Sequence, residues 1–384
     1  MIGYGRQTIE QSDIDALTKV LTADFLTQGP VVEQFEHAIA EYVGAKYAVT
    51  FTSATAGLHI ACLAAGLGKG NIGVTQPITF VASANCIAYC QATPHLVDID
   101  PITLNMSKEK LKLFLSQQPE CKVVIPVSYS GYSALDEEFC DIVGERIIIE
   151  DSSHSLGAYG TDGKKVGSGA FADMTVFSFH PVKPITTGEG GAVVTNNNDL
   201  YEKMKALRSH GIVRDDFQLQ ASENKRGPWY YEQQDLGYNY RLTDIQSALG
   251  ISQLSRIDDF MSKRRAVAAR YDEAFANLKH ITLRQFDPEW RAKSGHHLYI
   301  LHFDFKGLGK SRGDVMAELR SKGIGTQVHY VPVYAHPYHQ TDAIGDVSHY
   351  PESEAYYQGC LSIPIFPSLT VEQQHCVISA IKAL

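Results

Sequence analysis

Apolar residues recur at helical spacing twice near the start of the chain. They do so over Ser12 to Ala23, behind an acidic first turn, and over Val31 to Val43, up to the stop at Gly44. Two helices therefore bracket Leu26-Thr27-Gln28-Gly29-Pro30. The pattern then changes. Tyr47 to Phe51 is a short apolar run that passes through Thr52-Ser53-Ala54-Thr55 into the apolar stretch Ala56 to Ala65, which reads as strand, tight turn and helix. The same alternation returns with Ile72 to Thr75, Leu96 to Ile99, Val123 to Val127 and Ile147 to Ile149, each separated by a helix-compatible segment. Phe171 to Phe179 and Gly191 to Thr195 add two more strands ahead of a basic helix from Asp199 to His210. Continuous apolar strands alternating with helices predict a mostly parallel seven-stranded sheet covered on both faces.

From Gly211 to Gln234 the text is polar and carries Gly and Pro, which predicts a mobile loop. Helical periodicity resumes from Thr243 to about Leu278, and the boundary between two units is placed inside it. Residues 1–250 form a large α/β domain and residues 251–384 a smaller C-terminal α+β domain. A chain of 384 residues is long enough for this division.

Composition narrows the class. A 44% hydrophobic and 20% charged sequence can bury a full core, so disorder does not dominate. A formal net charge of −9 argues against a nucleic-acid binder, which needs clustered Lys and Arg. Any anionic ligand must then be held by local donors. The seven cysteines are odd in number and scattered through apolar segments, unlike a disulfide framework or a metal knuckle; Cys86 and Cys90, one helical turn apart, read as buried free thiols. With neither an apolar leader nor a membrane-length run, the expected location is the cytoplasm.

In a doubly wound sheet, ligands collect beyond the carboxyl ends of the strands. Four places there stand out. Ser53-Ala54-Thr55 ends a strand and opens a helix, where backbone N–H groups receive a phosphate; an ordinary N-cap looks the same. Asp151 ends the Ile147 strand with His154 one turn on, so the carboxylate either pairs with a cationic ring nitrogen or caps a turn. Lys183 follows Phe177-Ser178-Phe179-His180 and precedes Gly188-Glu189-Gly190-Gly191. Burial there would lower the amine's pKa and suit a Schiff base, the other reading being a surface lysine beside a glycine turn. Phe80, after Pro77-Ile78-Thr79, is either a stacking face or a core phenylalanine. Together the four supply a phosphate cradle, a ring-nitrogen partner, a lysine and a flat face, the needs of a phosphorylated pyridine aldehyde.

From Leu26 through Arg241 the chain resembles the DegT/DnrJ/EryC1/StrS sugar aminotransferases, of pyridoxal-phosphate fold type I. The likeness runs through Leu26-Thr27-Gln28-Gly29, Ser53-Ala54-Thr55, Glu150 to His154, Phe177 to His180, Lys183, Thr187 to Gly191, Arg208 to Gly211 and Gly237 to Arg241. It implies pyridoxal 5′-phosphate bound covalently to Lys183, with pyridoxamine phosphate in the cycle. It further implies Asp151 on the pyridine nitrogen, His154 at the phenolic oxygen, and Ala54, Thr55 and Ser178 on the phosphate. Asn239 would reach the cofactor phosphate of the other subunit, making a homodimer with shared active sites. Within the family, Phe177 to Gly191 and Gln327-Val328-His329-Tyr330 are most similar to the branch serving pseudaminic acid synthesis. That branch takes the amino group of L-glutamate, releasing 2-oxoglutarate, and places it on C4 of a UDP-linked 4-keto-6-deoxy-N-acetylhexosamine. The likeness makes Tyr4, Asp24, Phe25, Leu26, Thr27, Arg241, Gln327, Val328, His329 and Tyr330 the substrate-binding candidates.

Other readings stand beside this one. A different UDP- or dTDP-linked keto sugar is the alternative substrate. The dehydratase branch of the same family has histidine in place of the lysine, so Lys183 counts against it. A cofactor-binding regulator without turnover is the alternative from another class, opposed by the intact lysine, aspartate and cradle. The His- and Tyr-rich stretch from His329 to His339 lacks an acidic partner and holds two prolines, so it reads as an irregular loop meeting sugar or uridine rather than a metal site.

Overall fold

The computed structural model describes residues 1–214, 227, 229–283 and 288–384. Helix α1 (Gln11–Leu21) starts where the Glu10 backbone N–H donates to Asp13 at 2.9 Å. Helix α2 (Pro30–Val43) has Pro30 in its first turn and ends on Gly44 at φ 80°, a left-handed stop that glycine adopts without strain.

The main sheet contains β1 (Tyr47–Phe51), β2 (Ile72–Thr75), β3 (Thr93–Leu96), β4 (Cys121–Val124), β5 (Ile147–Asp151), β6 (Met174–Ser178) and β7 (Gly191–Thr195). Between them run α3 (Ala54–Ala64), α4 (Ala82–Tyr89), α5 (Lys108–Gln117) and α6 (Glu137–Val143), and α7 (Asn198–Arg208) follows. The strand order is β3-β2-β4-β5-β6-β7-β1. Only β7 runs against its neighbours, β6 and β1. Alternation along the strands splits the core into two layers. Val49, Phe51, Val176 and Val193 face α3, α4 and α7. Ala48, Phe177, Ala192 and Val194 face α2 and the helices that follow.

Beyond α7, β8 (Ile212–Val213) pairs with β9 (Glu232–Gln233), so the stretch expected to be a mobile loop has strands at both ends. Its residues 215–226 and 228 lie outside the described residues. Helix α8 (Asp244–Leu254) opens on a Thr243/Gln246 capping box, and α9 (Ile257–Phe275) follows. Met261 belongs to the main-sheet core and Val267 to a separate one, so α9 spans both. The second core lies against an antiparallel sheet of β10 (Ile281–Thr282), β11 (Tyr299–Phe303) and β12 (Cys360–Ile363). Around it stand α10 (Pro288–Lys293), α11 (Arg312–Ser321), α12 (Pro351–Gly359) and α13 (Val371–Lys382).

The third strand is displaced from the expected Leu96 to Ile99. The ladder uses Thr93 to Leu96, because Asn71 and β2 offer their backbone partners there; Val97, whose N–H donates to the Thr75 carbonyl at 2.8 Å, is buried beyond it with Asp98 and Ile99. Among the described residues no helix is long and apolar enough to cross a membrane.

Candidate active site

Strand register collects the polar residues at one sheet edge. Asp151 on β5 is level with Val176, and Ser178 on β6 and Phe51 on β1 both lie opposite Gly191 on β7. Because β7 is antiparallel, its first residue meets the last residues of its neighbours. A Cβ on Gly191 would sit 2.4 Å from the Ala54 nitrogen, so only glycine lets this strand approach the start of α3. Ser53 caps that helix, accepting from the Ala56 N–H at 3.1 Å.

A cavity of about 600 Å³ opens over this edge. Of the expected cofactor residues, Ala54, Thr55, Phe80, Asp151, His154, Ser178 and Lys183 line it. Of the expected substrate residues, Tyr4, Gln327, Val328, His329 and Tyr330 line it too. Phe80 is 58% exposed, which sets aside the core-phenylalanine reading and leaves its ring available to a ligand.

Lys183 stands in a turn closed by its own N–H to the His180 carbonyl at 2.9 Å. Among the described residues no carboxylate lies within ion-pair distance of its ammonium. Burial pushes the amine down to about 8, and the field of Asp151 pulls weakly the other way. At pH 7 that raises the free-base share from about one in three thousand to about one in ten.

Asp151 is buried and accepts on both oxygens. Ser83 Oγ donates to Oδ2 at 2.6 Å, while the Ser153 hydroxyl and backbone N–H donate to Oδ1 at 2.6 and 3.1 Å. His154 receives the Ser130 backbone N–H on Nδ1 at 3.2 Å, which assigns its hydrogen to Nε2, 3.1 Å from the Tyr330 hydroxyl. Burial, reinforced by Lys183 and His329, holds His154 well below the usual histidine range, so the ring is neutral. Burial and Lys183 likewise take His329 down to about 3, and its Nδ1 pairs with Ser362 Oγ at 2.8 Å. Burial raises the Tyr330 phenol.

Asp24, Phe25, Leu26, Thr27 and Asn239 are exposed and do not line this chain's own cavity, nor does Arg241. Thr27 bridges to Thr243 and Asn239 to Ser209. The Tyr240 carbonyl, between Asn239 and Arg241, accepts the Thr52 N–H at 2.9 Å, so this segment runs beside the start of α3.

Sequence reasoning missed Ser83, Thr79 and His297. The first two lie four residues apart beyond β2, a helical spacing at a strand's carboxyl end that could have drawn attention. His297 has no such signal. It lines the cavity with its ring centroid 4.5 Å from that of His154, and its buried Nδ1 has no hydrogen-bond partner among the described residues. In the His329 to His339 loop, His336 lines the cavity and His339 pairs with Asn85 at 2.9 Å.

A half-buried lysine with no carboxylate in ion-pair reach, a helix terminus that a Cβ at residue 191 would obstruct, and a fixed carboxylate define a class: enzymes that carry an amino group on a phosphorylated pyridine aldehyde. The chain belongs to the DegT/DnrJ/EryC1/StrS aminotransferase family, whose profile matches residues 7–382. It is thus a pyridoxal-phosphate-dependent sugar aminotransferase. It is 39% identical over 376 residues to the UDP-4-amino-4,6-dideoxy-N-acetyl-β-L-altrosamine transaminase of Campylobacter jejuni, covering 97% of this chain and 94% of that one. PseC of Helicobacter pylori, an aminotransferase involved in the biosynthesis of pseudoaminic acid, superposes with a TM-score of 0.85 at 32% identity over 100% of both chains. Spr1654 of Streptococcus pneumoniae, solved in PMP and PLP forms, gives TM-scores of 0.87 and 0.86 at 26% identity, over 100% of this chain and 98% of that one.

Proposed function

We propose that this enzyme moves the amino group of L-glutamate to C4 of a UDP-linked 4-keto-6-deoxy-N-acetylhexosamine, forming the amino sugar for which its Campylobacter relative is named. The observation that carries this reading is similarity along nearly the whole of both chains, at 39% identity. It is supported by a cavity that brings Tyr4, Gln327, His329 and Tyr330 beside Lys183.

When bound, pyridoxal 5′-phosphate supplies an aldehyde carbon for the amino group and a cationic pyridine that draws off electrons. Ser178 Oγ and the N–H groups of Ala54 and Thr55 would hold its phosphate at the positive end of α3. Asp151 would keep the proton on the ring nitrogen. Neutral His154, whose Nε2 hydrogen faces the Tyr330 hydroxyl at 3.1 Å, would offer that hydrogen to the phenolic oxygen, and Phe80 would cover the ring. Lys183, partly uncharged, is the covalent anchor. Its Nζ removes the proton from the glutamate Cα and, in the second half-reaction, delivers one to C4 of the sugar. Gln327, His329 and backbone N–H groups provide local donors for the UDP diphosphate.

The working unit in this reading is a homodimer, with Asn239 and Arg241 serving the partner's cavity. The chain divides near residue 250 into a cofactor-binding and a C-terminal domain. It works in the cytoplasm, in keeping with its free cysteines. If Asn239 acts across the interface, Lys183→Ala and Asn239→Ala subunits, each impaired alone, regain activity when mixed. Each heterodimer then has one intact site, and random exchange restores about a quarter of wild-type turnover. No recovery after confirmed subunit exchange would confine the site to one chain. The substrate itself is tested by incubating enzyme, L-glutamate and the UDP-linked ketone, with mass spectrometry reading a 4-amino sugar and 2-oxoglutarate. Absence of that product would end the assignment.

A further inference from the structure

Asp151 is held from two directions of unequal kind. Ser153 lies two residues away in the same turn, so its contact comes with the local backbone conformation. Ser83 comes from α4, beyond β2, and its contact spans 68 positions of sequence and the point where the strand order reverses between β2 and β4. The Ser83 side chain is fully buried. Its oxygen meets Asp151 Oδ2 at 2.6 Å and the Thr79 hydroxyl at 2.8 Å.

An ionised carboxylate only accepts, so the Ser83 proton points at Asp151. Ser83 Oγ is then free to accept, and the Thr79 hydroxyl supplies the proton. The chain Thr79 to Ser83 to Asp151 therefore has one direction. The same turn presents Phe80 to the cavity, so one short segment carries both the flat face and the support of the carboxylate.

We infer that Ser83 is a positioning residue for the cofactor's ring nitrogen: its hydroxyl, oriented by Thr79, fixes the plane of the Asp151 carboxylate. This rests on the reading of Asp151 as the ring-nitrogen partner. Without Ser83, Oδ2 would be buried and unpaired, a costly state for a charged oxygen. The plane of the carboxylate would then rest on the Ser153 contacts to Oδ1 alone.

The test compares pyridoxamine 5′-phosphate with its 1-deaza analogue, in which a C–H replaces the ring nitrogen. Each is titrated into the full-length enzyme after removal of cofactor. Ser83→Ala should weaken pyridoxamine phosphate about tenfold, the value of one charge-assisted hydrogen bond, and leave the analogue within a factor of two. Ser83→Thr, which keeps the hydroxyl, should restore most of the difference. Thr79→Val should show a smaller loss with the same selectivity, and it provides an independent reading if Ser83→Ala folds poorly. In turnover, kcat should fall while KM for the nucleotide sugar stays within twofold. Equal loss for both compounds would assign Ser83 to packing and overturn the inference, as would no loss for either. Asp151→Ala separates the ring-nitrogen role of Asp151 from the positioning role of Ser83. If it does not discriminate between the compounds either, the ring-nitrogen assignment fails and the inference with it. If Asp151→Ala discriminates and Ser83→Ala does not, the inference alone fails.

Discussion

Lys183→Ala is expected to eliminate transamination, lowering kcat by at least about 10⁴-fold, because it removes both the anchor and the base that moves the proton. Borohydride treatment, which fixes a Schiff base irreversibly, should leave the variant's intact mass unchanged and add the cofactor to the wild type. The fold should tolerate the change. Lys183 is half-buried in the cavity wall with its amine pushed down to about 8, so its removal relieves a partly desolvated cation rather than breaking a pair. The thermal midpoint should therefore stay level or rise, which separates loss of chemistry from loss of structure. Turnover within tenfold of wild type would contradict the assignment.

Asp151→Asn should be nearly as damaging. Asparagine keeps the size of the side chain and an oxygen for the Ser83 or Ser153 hydroxyl, but it lacks the charge that keeps the ring nitrogen protonated. Proton removal from glutamate should slow at least about a hundredfold, equivalent to roughly 2.7 kcal/mol of barrier. A second consequence has a fixed sign. The Asp151 field favours the charged form of Lys183, so its loss takes the amine below about 8. The pH profile of Lys183 alkylation in cofactor-free enzyme should accordingly move to lower pH. A variant within a factor of two of wild type, in rate and in that profile, would reduce Asp151 to the cap of its own turn.

The sheet was legible because its strands are short apolar runs whose ends coincide with polar punctuation. Ile147 to Ile149 runs through Glu150 into Asp151, and Phe177 leads directly into Ser178. Strand limits were less so. Val97 and Ile99 are as apolar as ladder residues, yet they report burial, and the ladder with β2 runs from Thr93 to Leu96. The short pairing of Ile212–Val213 with Glu232–Gln233 gave no alternation long enough to read.

Part of the cavity's lining could be found from sequence, because Asp151 and Ser178 end strands, Ala54 and Thr55 open a helix, and Phe80 and Lys183 stand in the turns that follow β2 and β6. Its supports could not. Ser83 meets Asp151 only because β2 and β5 both flank β4, which no local pattern encodes. His297 reaches His154 because the segment before β11 is held by the His297 N–H to the Ser130 carbonyl at 3.1 Å. Asn239 and Arg241 lie outside the chain's own cavity, and only in the proposed homodimer would they serve a site, that of the partner.

The central claim is the identity of the sugar. A site whose buried polar groups are matched to an N-acetyl substituent rejects a sugar lacking it, since those groups are left unpaired. The most direct measurement is kcat/KM, side by side with L-glutamate as donor, for three compounds. These are the UDP-linked 4-keto-6-deoxy-L-arabino N-acetylhexosamine, its C5 epimer and dTDP-4-keto-6-deoxyglucose. Amination of the first at C4 is expected, with specificity constants for the other two lower by about a hundredfold or more. A dTDP sugar used as well as the UDP sugar, or better, would contradict it.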